Sequence, residues 1–166
     1  MSKSLARVVA ALRAGGVDAV PLEMPGETRT APEAAAAAGC DLDQIVKSIL
    51  FQGESGRLYL FLTAGGHQVD PARASALAGE ALGRADAGVV RRVTGFAIGG
   101  VAPVGHLTPS PIWIDRRLMA FATVWAAAGT PRHVFAIAPG VLQGLSGAEV
   151  AVFSVDFGIN YAISSG

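Results

Sequence analysis

Residues 44–51 read QIVKSILF and place a lysine inside a row of apolar side chains. The chain has eleven arginines and only two lysines, the second being Lys3. Where this sequence needs an ordinary surface cation it uses arginine, so the internal lysine calls for a reason particular to an ammonium group. If 45–51 is a strand, Ile45, Lys47, Ile49 and Phe51 share one face, and Val46, Ser48 and Leu50 share the other. An unpaired ammonium on an apolar face is costly to bury. It must reach outward, meet a carboxylate, or face a cleft that receives an anion. As a compact, rotatable charge, lysine suits one phosphate or one developing oxyanion.

A second segment, TGFAIGGVAPVGH at 94–106, gathers Gly95, Gly99, Gly100 and Gly105 around Pro103. Glycines let a backbone approach a ligand closely, and successive exposed N–H groups there form an anion nest or an oxyanion hole. The spacing is neither that of a P-loop nor that of a dinucleotide-binding turn. His67, His106 and His133 are too dispersed for a metal set, and H-x-E, C-x-x-C, H-E-x-x-H and G-x-S-x-G are all missing from the sequence. Each histidine alone reads most simply as a structural or surface residue. Cys40 is the single cysteine, which excludes an internal disulfide and suggests a reducing compartment; after Gly39 at a helix end it reads as a small buried thiol rather than a nucleophile. The residues by themselves therefore describe a cleft with one lysine and one glycine loop, and no metal or cofactor is expected.

The elements that must position these groups are legible in outline. Leu5, Val8, Val9 and Leu12 have helical spacing, with Ser2 or Ser4 at the start and Gly15 and Gly16 at the end. VDAVPL (17–22) reads as a short strand. Thr30 and Glu33 have capping-box spacing with Pro32 in the first turn, so a second helix runs to Gly39. Asp41 and Gln44 repeat the pattern for a short turn leading into the lysine strand. Strands are predicted at about 46–52 and 57–63, joined by GESG, and helices at 70–77 and 86–95. Further strands are predicted at 111–115, 123–127, 133–138 and 148–155, with a short helix at 139–145. At 166 residues with 51% hydrophobic and 16% charged residues, the chain suits one α/β domain with a mixed, largely antiparallel sheet flanked by helices. That domain is expected over 1–153, with a tail of unassigned role at 154–166.

The two chemical segments together resemble the YbaK/ProX family of aminoacyl-tRNA deacylases, which includes the editing domain inserted in bacterial prolyl-tRNA synthetase. TAPEAAAAAGCDLDQIVKSILF is similar to that family's helix, turn and lysine strand, and TGFAIGGVAPVGH to its glycine–proline loop. PIWIDRRLM and VWAAAGTPRHVFAIAPGVLQGLSGA follow in the family's order. The resemblance implies a partly barrel-like sheet and hydrolysis of the ester joining a wrongly attached amino acid to the terminal adenosine of tRNA. It implies that Lys47 engages the RNA end near a phosphate, and that Gly99 and Gly100 supply backbone donors at the ester. Thr30, Ser48, Gly95, Pro103, Gly105, His106, Gly129 and His133 are then expected to line the substrate site, with Asp115 structural. The expected partners are the acceptor end of an aminoacyl-tRNA and an aminoacyl-tRNA synthetase that helps to recognise the tRNA body; neither DNA nor a membrane is expected. Sequence leaves the amino acid open.

Charge bears on the alternatives. Thirteen basic and thirteen acidic side chains cancel, which argues against coating nucleic acid by bulk attraction but not against gripping one RNA end. Arg91 with Arg92, and Arg116 with Arg117, are candidates for phosphate contacts. With no apolar run long enough for a membrane span and no secretory signal, a free-standing cytoplasmic enzyme acting in trans is expected. A non-catalytic module that binds a tRNA end or a synthetase is the alternative, and a Schiff-base enzyme using Lys47 is a third reading.

Overall fold

The computed structural model describes residues 2–26 and 30–156. Helix α1 (Lys3–Ala14) forms where the apolar spacing places it: Leu5, Val8 and Leu12 are buried, and Ser2 Oγ accepts the Leu5 amide at 3.1 Å. Strand β1 (Leu22–Glu23) is much shorter than the expected 17–22, because Asp18 and Val20 point to solvent. Helix α2 (Ala31–Ala38) starts at Thr30, whose Oγ1 accepts the Glu33 amide at 3.3 Å, and ends at Gly39 in the left-handed region. A 3-10 turn at Leu42–Gln44 leads into β2 (Val46–Gly53). There the Asp41 amide donates to Gln44 Oε1 and Gln44 Nε2 donates to the Thr123 carbonyl, so the entrance of β2 is tied to a strand far along the chain.

Next come β3 (Leu58–Ala64), β4 (His67–Val69), α3 (Pro71–Ala78), β5 (Leu82–Arg84) and α4 (Ala87–Thr94). After the glycine loop follow β6 (Ile112–Asp115), a 3-10 turn at Arg116–Ala120, β7 (Val124–Ala127), β8 (His133–Ile137), α5 (Pro139–Ser146), β9 (Glu149–Ala151) and β10 (Ser154–Asp156). The single strand expected over 148–155 is thus two. Val152 faces water while Phe153 turns fully into the core, and the chain passes from one sheet to another between them. Ser154–Asp156 pairs with β4 and belongs to the fold; the remainder of the expected tail, 157–166, lies outside the described residues.

The largest sheet has the order β5-β2-β3-β6-β9, with β3–β6 and β6–β9 parallel and the other pairs antiparallel. A second sheet, β1-β8-β7, is antiparallel and meets β2 through a bridge from Ile45 to Trp125. The chain is a single mixed α/β domain with a mostly antiparallel sheet, as its sequence predicts.

Strand β3 is buried along its whole length, which explains its unbroken apolar run LYLFLTA. Leu58, Leu60, Leu62 and Ala64 enter the main core beneath α1, while Tyr59 and Phe61 enter a second core with Trp113, Phe153, Ile49 and Phe51. Phe61 stacks on Trp113 with ring centroids 5.0 Å apart. Lys47 lies on this second face with Ile49 and Phe51, opposite Thr63 in the β2–β3 ladder. The β3–β6 register places Asp115 beside Thr63, so the aromatic layer gives way to a polar one at the end of the sheet that carries the lysine.

Candidate functional site

Lys47 is half-buried, and its ammonium donates to the main-chain carbonyl of His67. Desolvation lowers its pKa from the ordinary lysine value, while the charges of Asp115 and Asp43 act in the opposite direction. Those carboxylates belong to one connected network. Asp115, 3% exposed, accepts the Ala64 amide at 3.1 Å and the Ser154 hydroxyl at 2.6 Å on Oδ2, and the Arg117 amide at 3.0 Å on Oδ1. Because the Ser154 proton goes to Asp115, His67 Nδ1 is the donor to Ser154 Oγ at 2.8 Å. Asp43 accepts the Gly66 amide and the Arg117 guanidinium, each at 2.9 Å, and lies 3.9 Å from His67 Nε2. The network fixes β4, and with it the carbonyl that aims the lysine.

Lys47 separates two hollows. On one side, a cavity of about 290 Å3 is lined by Lys47, Ser48, Thr30, Gly99, Thr130 and His133 against an apolar wall that includes Ala34, Trp125 and Val134. Gly99 has φ +94 with open space where a side chain would project. Among the described residues its N–H has no protein acceptor. The Ser48 hydroxyl is buried at the wall and has no hydrogen-bond partner among the described residues. His133 Nδ1 and Thr130 Oγ1 are 2.6 Å apart, which fixes the ring at the cavity rim. On the other side, a larger hollow of about 680 Å3 is lined by Asp43, His67, Gln68 and Asp156. Five of the residues expected from sequence, Thr30, Lys47, Ser48, Gly99 and His133, therefore line one cavity.

The model of the aminoacyl-tRNA editing domain matches residues 25–145. The chain belongs to the aminoacyl-tRNA editing domain family. A crystal structure described as that of a candidate trans-editing enzyme for prolyl tRNA synthetase is 47% identical, covers 93% of this chain and 99% of its own, and superimposes with a TM-score of 0.87. A second structure, of the hypothetical protein APE2540, is 30% identical, covers 90% of this chain and 99% of its own, and has a TM-score of 0.82. The uncharacterized protein YwhH of Bacillus subtilis (strain 168) is 29% identical over 128 residues, 77% of this chain and 82% of that protein. No helix among the described residues is long and apolar enough to cross a membrane.

Within this editing domain the rest of the glycine loop does different work from that expected. The Gly100 N–H donates to the Ala97 carbonyl at 3.0 Å, and a side chain at Gly100 would meet the Thr130 backbone at 3.0 Å. Gly100 is therefore a packing glycine that brings the loop against the 129–131 turn, and its amide is committed to its own turn rather than to a ligand. Pro103, Gly105 and His106 line a separate hollow beside α1 and α5. His106 Nε2 donates to the Ala102 carbonyl at 2.6 Å. Burial lowers its pKa, against the effect of that carbonyl and with the effect of the Arg7 charge.

Arg7, which the sequence did not single out, produces this division of the loop. Its Nε donates to the Gly105 carbonyl at 2.7 Å, its Nη2 donates to the Gly95 carbonyl at 2.9 Å, and its guanidinium lies over the Phe96 ring. Gly95 closes α4, and a side chain on it would strike Arg7; one on Gly129 would come within 2.8 Å of the Ser4 carbonyl. Both glycines are thus required by packing. Cys40 packs beside Ala34 and Ile45, and burial, then the charge of Asp41, push its thiol pKa up, away from nucleophilic use.

Proposed function

We propose that the chain hydrolyses the ester between a wrongly attached amino acid and the terminal adenosine of a tRNA, acting in trans. The observation that supports this reading is that Lys47 and Gly99 line one cavity, the Gly99 amide having no protein acceptor among the described residues. Water attacks the ester carbonyl, the Gly99 N–H donates to the oxyanion that forms, and Lys47 holds a phosphate of the RNA end. Collapse breaks the acyl C–O bond, and the departing ribose oxygen takes up a proton, leaving the free amino acid and uncharged tRNA. An aminoacyl ester is already activated, so positioned donors and an oriented water suffice for a useful acceleration. The substrate's own ribose hydroxyl helps to place that water.

A deacylation panel with purified protein and tRNAs charged with small or mismatched amino acids tests the proposal. Given the relative described above, tRNAs mischarged by prolyl-tRNA synthetase come first. Release from one class supports the proposal, and the class released defines the specificity. Binding of tRNA with no release from any substrate would replace it with a non-catalytic tRNA-end module.

Ser48 gives a finer test. Among the described residues its buried hydroxyl has no partner, so Ser48→Ala removes an unsatisfied group and is expected to raise stability by up to about 1 kcal/mol. If the hydroxyl contacts substrate, kcat/KM falls about five- to tenfold in the same variant, the loss of one neutral hydrogen bond. Thermal unfolding and steady-state deacylation measured together separate the two effects.

A further inference from the structure

We propose that a second, cationic cavity beside the Lys47 cavity binds the phosphodiester backbone of the RNA whose acylated end is the substrate; this rests on the proposed function. The cavity has a volume of about 460 Å3, and its walls carry Lys3, Arg7 and Arg91 and, among the described residues, no acidic side chain. The whole chain carries equal numbers of basic and acidic side chains, so three cations facing one hollow without a carboxylate depart sharply from the average. Thr130 and Pro131 line both this cavity and the Lys47 cavity. A strand leaving the Lys47 cavity therefore crosses a single turn to reach the cations.

The three cations differ in how they are held. Arg7 is pinned by two carbonyls and the Phe96 ring, so its charge is fixed in place. Lys3 and Arg91 are exposed, and among the described residues neither pairs with a carboxylate. Two free ammonium or guanidinium groups around a fixed one match a flexible polyanion better than a single small anion.

The direction of the strand follows from the alternative exit. On its other side Lys47 opens to the hollow lined by Asp43 and Asp156. Phosphates placed there would meet Asp156 and an Asp43 already paired with Arg117, whereas phosphates beyond Thr130 face three cations. At the roughly 8–10 Å range over which charges act at ordinary ionic strength, that difference favours the path past Thr130. Gly95 and Gly129, where any Cβ would collide with the protein itself, contribute backbone without a side chain to the wall of this cavity.

The test is binding of uncharged tRNA, followed by fluorescence anisotropy across a salt series, for wild type and for Lys3→Glu/Arg91→Glu. An Arg73→Glu/Arg84→Glu variant, altered at exposed positions on α3 and β5, changes net charge equally and serves as the control. The expected result is an affinity about tenfold weaker for the Lys3/Arg91 variant near 0.1 M salt, with the slope of log K against log salt reduced by about two, one for each phosphate that is no longer neutralised. The control should lose less than about twofold. Equal loss in both variants, no loss in either, or no RNA binding by wild type would overturn the proposal. So would loss of inorganic phosphate binding with RNA affinity intact, which would mark a small-anion site. Uncharged tRNA reports on this cavity whether or not any ester is cleaved. A failed deacylation panel with a positive binding result therefore removes the hydrolytic reading and leaves the backbone site standing.

Discussion

Lys47→Met is expected to lower the kcat/KM of deacylation by about ten- to a hundredfold without lowering Tm. The activity loss follows from the role of the ammonium: a charge-assisted contact to a phosphate of the RNA end contributes about 1.5–3 kcal/mol. The stability outcome follows from the pKa. Lys47 loses solvation in the fold, and its pKa is lowered despite the charges of Asp115 and Asp43. The unfolded chain therefore holds that proton more tightly than the native protein does, and the charged lysine opposes folding at neutral pH. Methionine keeps the apolar stem and removes the charge. The same sign appears in pH profiles. As pH rises through the folded-state pKa of Lys47 toward the ordinary lysine value, its penalty on stability is relieved while kcat/KM falls. Lys47→Arg stays cationic throughout and should show no such fall. Rates corrected for spontaneous ester hydrolysis, set beside unfolding curves over the same pH range, make the comparison. A methionine variant with lower Tm and unchanged rate would mean that the lysine is a structural tie and nothing more.

Much of this site was legible because a strand period is strict. An extended 45–51 segment sets Lys47 with Ile49 and Phe51 and Ser48 on the opposite face, and the structure has that arrangement. Helix caps were equally local: Thr30, Asp70 and Asp86 each accept from an amide of the first turn. What sequence could not give is what long-range contacts decide. The segment 94–106 reads as one glycine loop, but Arg7, 98 residues away from Gly105, turns its second half toward α1. The commitment of the Gly100 amide depends on a carbonyl three residues back, a choice that glycine spacing alone does not record. Strands β4 and β10 have three residues each and make a two-stranded sheet of their own. No periodicity can be read from three residues, so His67, whose carbonyl aims Lys47, looked like an isolated histidine. Thr130 did have a local signal, in that it stands three residues before His133 within GTPRH and accepts the Arg132 amide at 3.1 Å.

Asp115→Ala is expected to be the most damaging single change outside the aromatic core, and the reason is the number of donors it leaves behind. The Ala64 amide, the Ser154 hydroxyl and the Arg117 amide all donate to this one carboxylate, and the first two are buried. Stranding buried donors of a charge-assisted network costs about 3–5 kcal/mol, against a total stability of about 5–15 kcal/mol for a domain of this kind. Asp115→Asn does not repair the loss. Whichever way the amide is turned, its NH2 faces either the Ala64 amide or the Arg117 amide, so one N–H is set against another donor, although the Ser154 hydroxyl can rotate to compensate. Asparagine should therefore recover only part of the stability. The pair of variants also reports on the lysine. Asp115 is the largest of the influences that favour the Lys47 ammonium, so removing its charge lowers the lysine pKa further and moves the alkaline fall in kcat/KM to lower pH. Asp115→Asn, the better folded of the two, should show that displacement while its plateau rate per folded molecule stays near that of wild type. If its profile keeps the wild-type midpoint, the carboxylate holds strands together but does not tune the cation, and the electrostatic coupling between the polar end of the sheet and the Lys47 cavity does not exist.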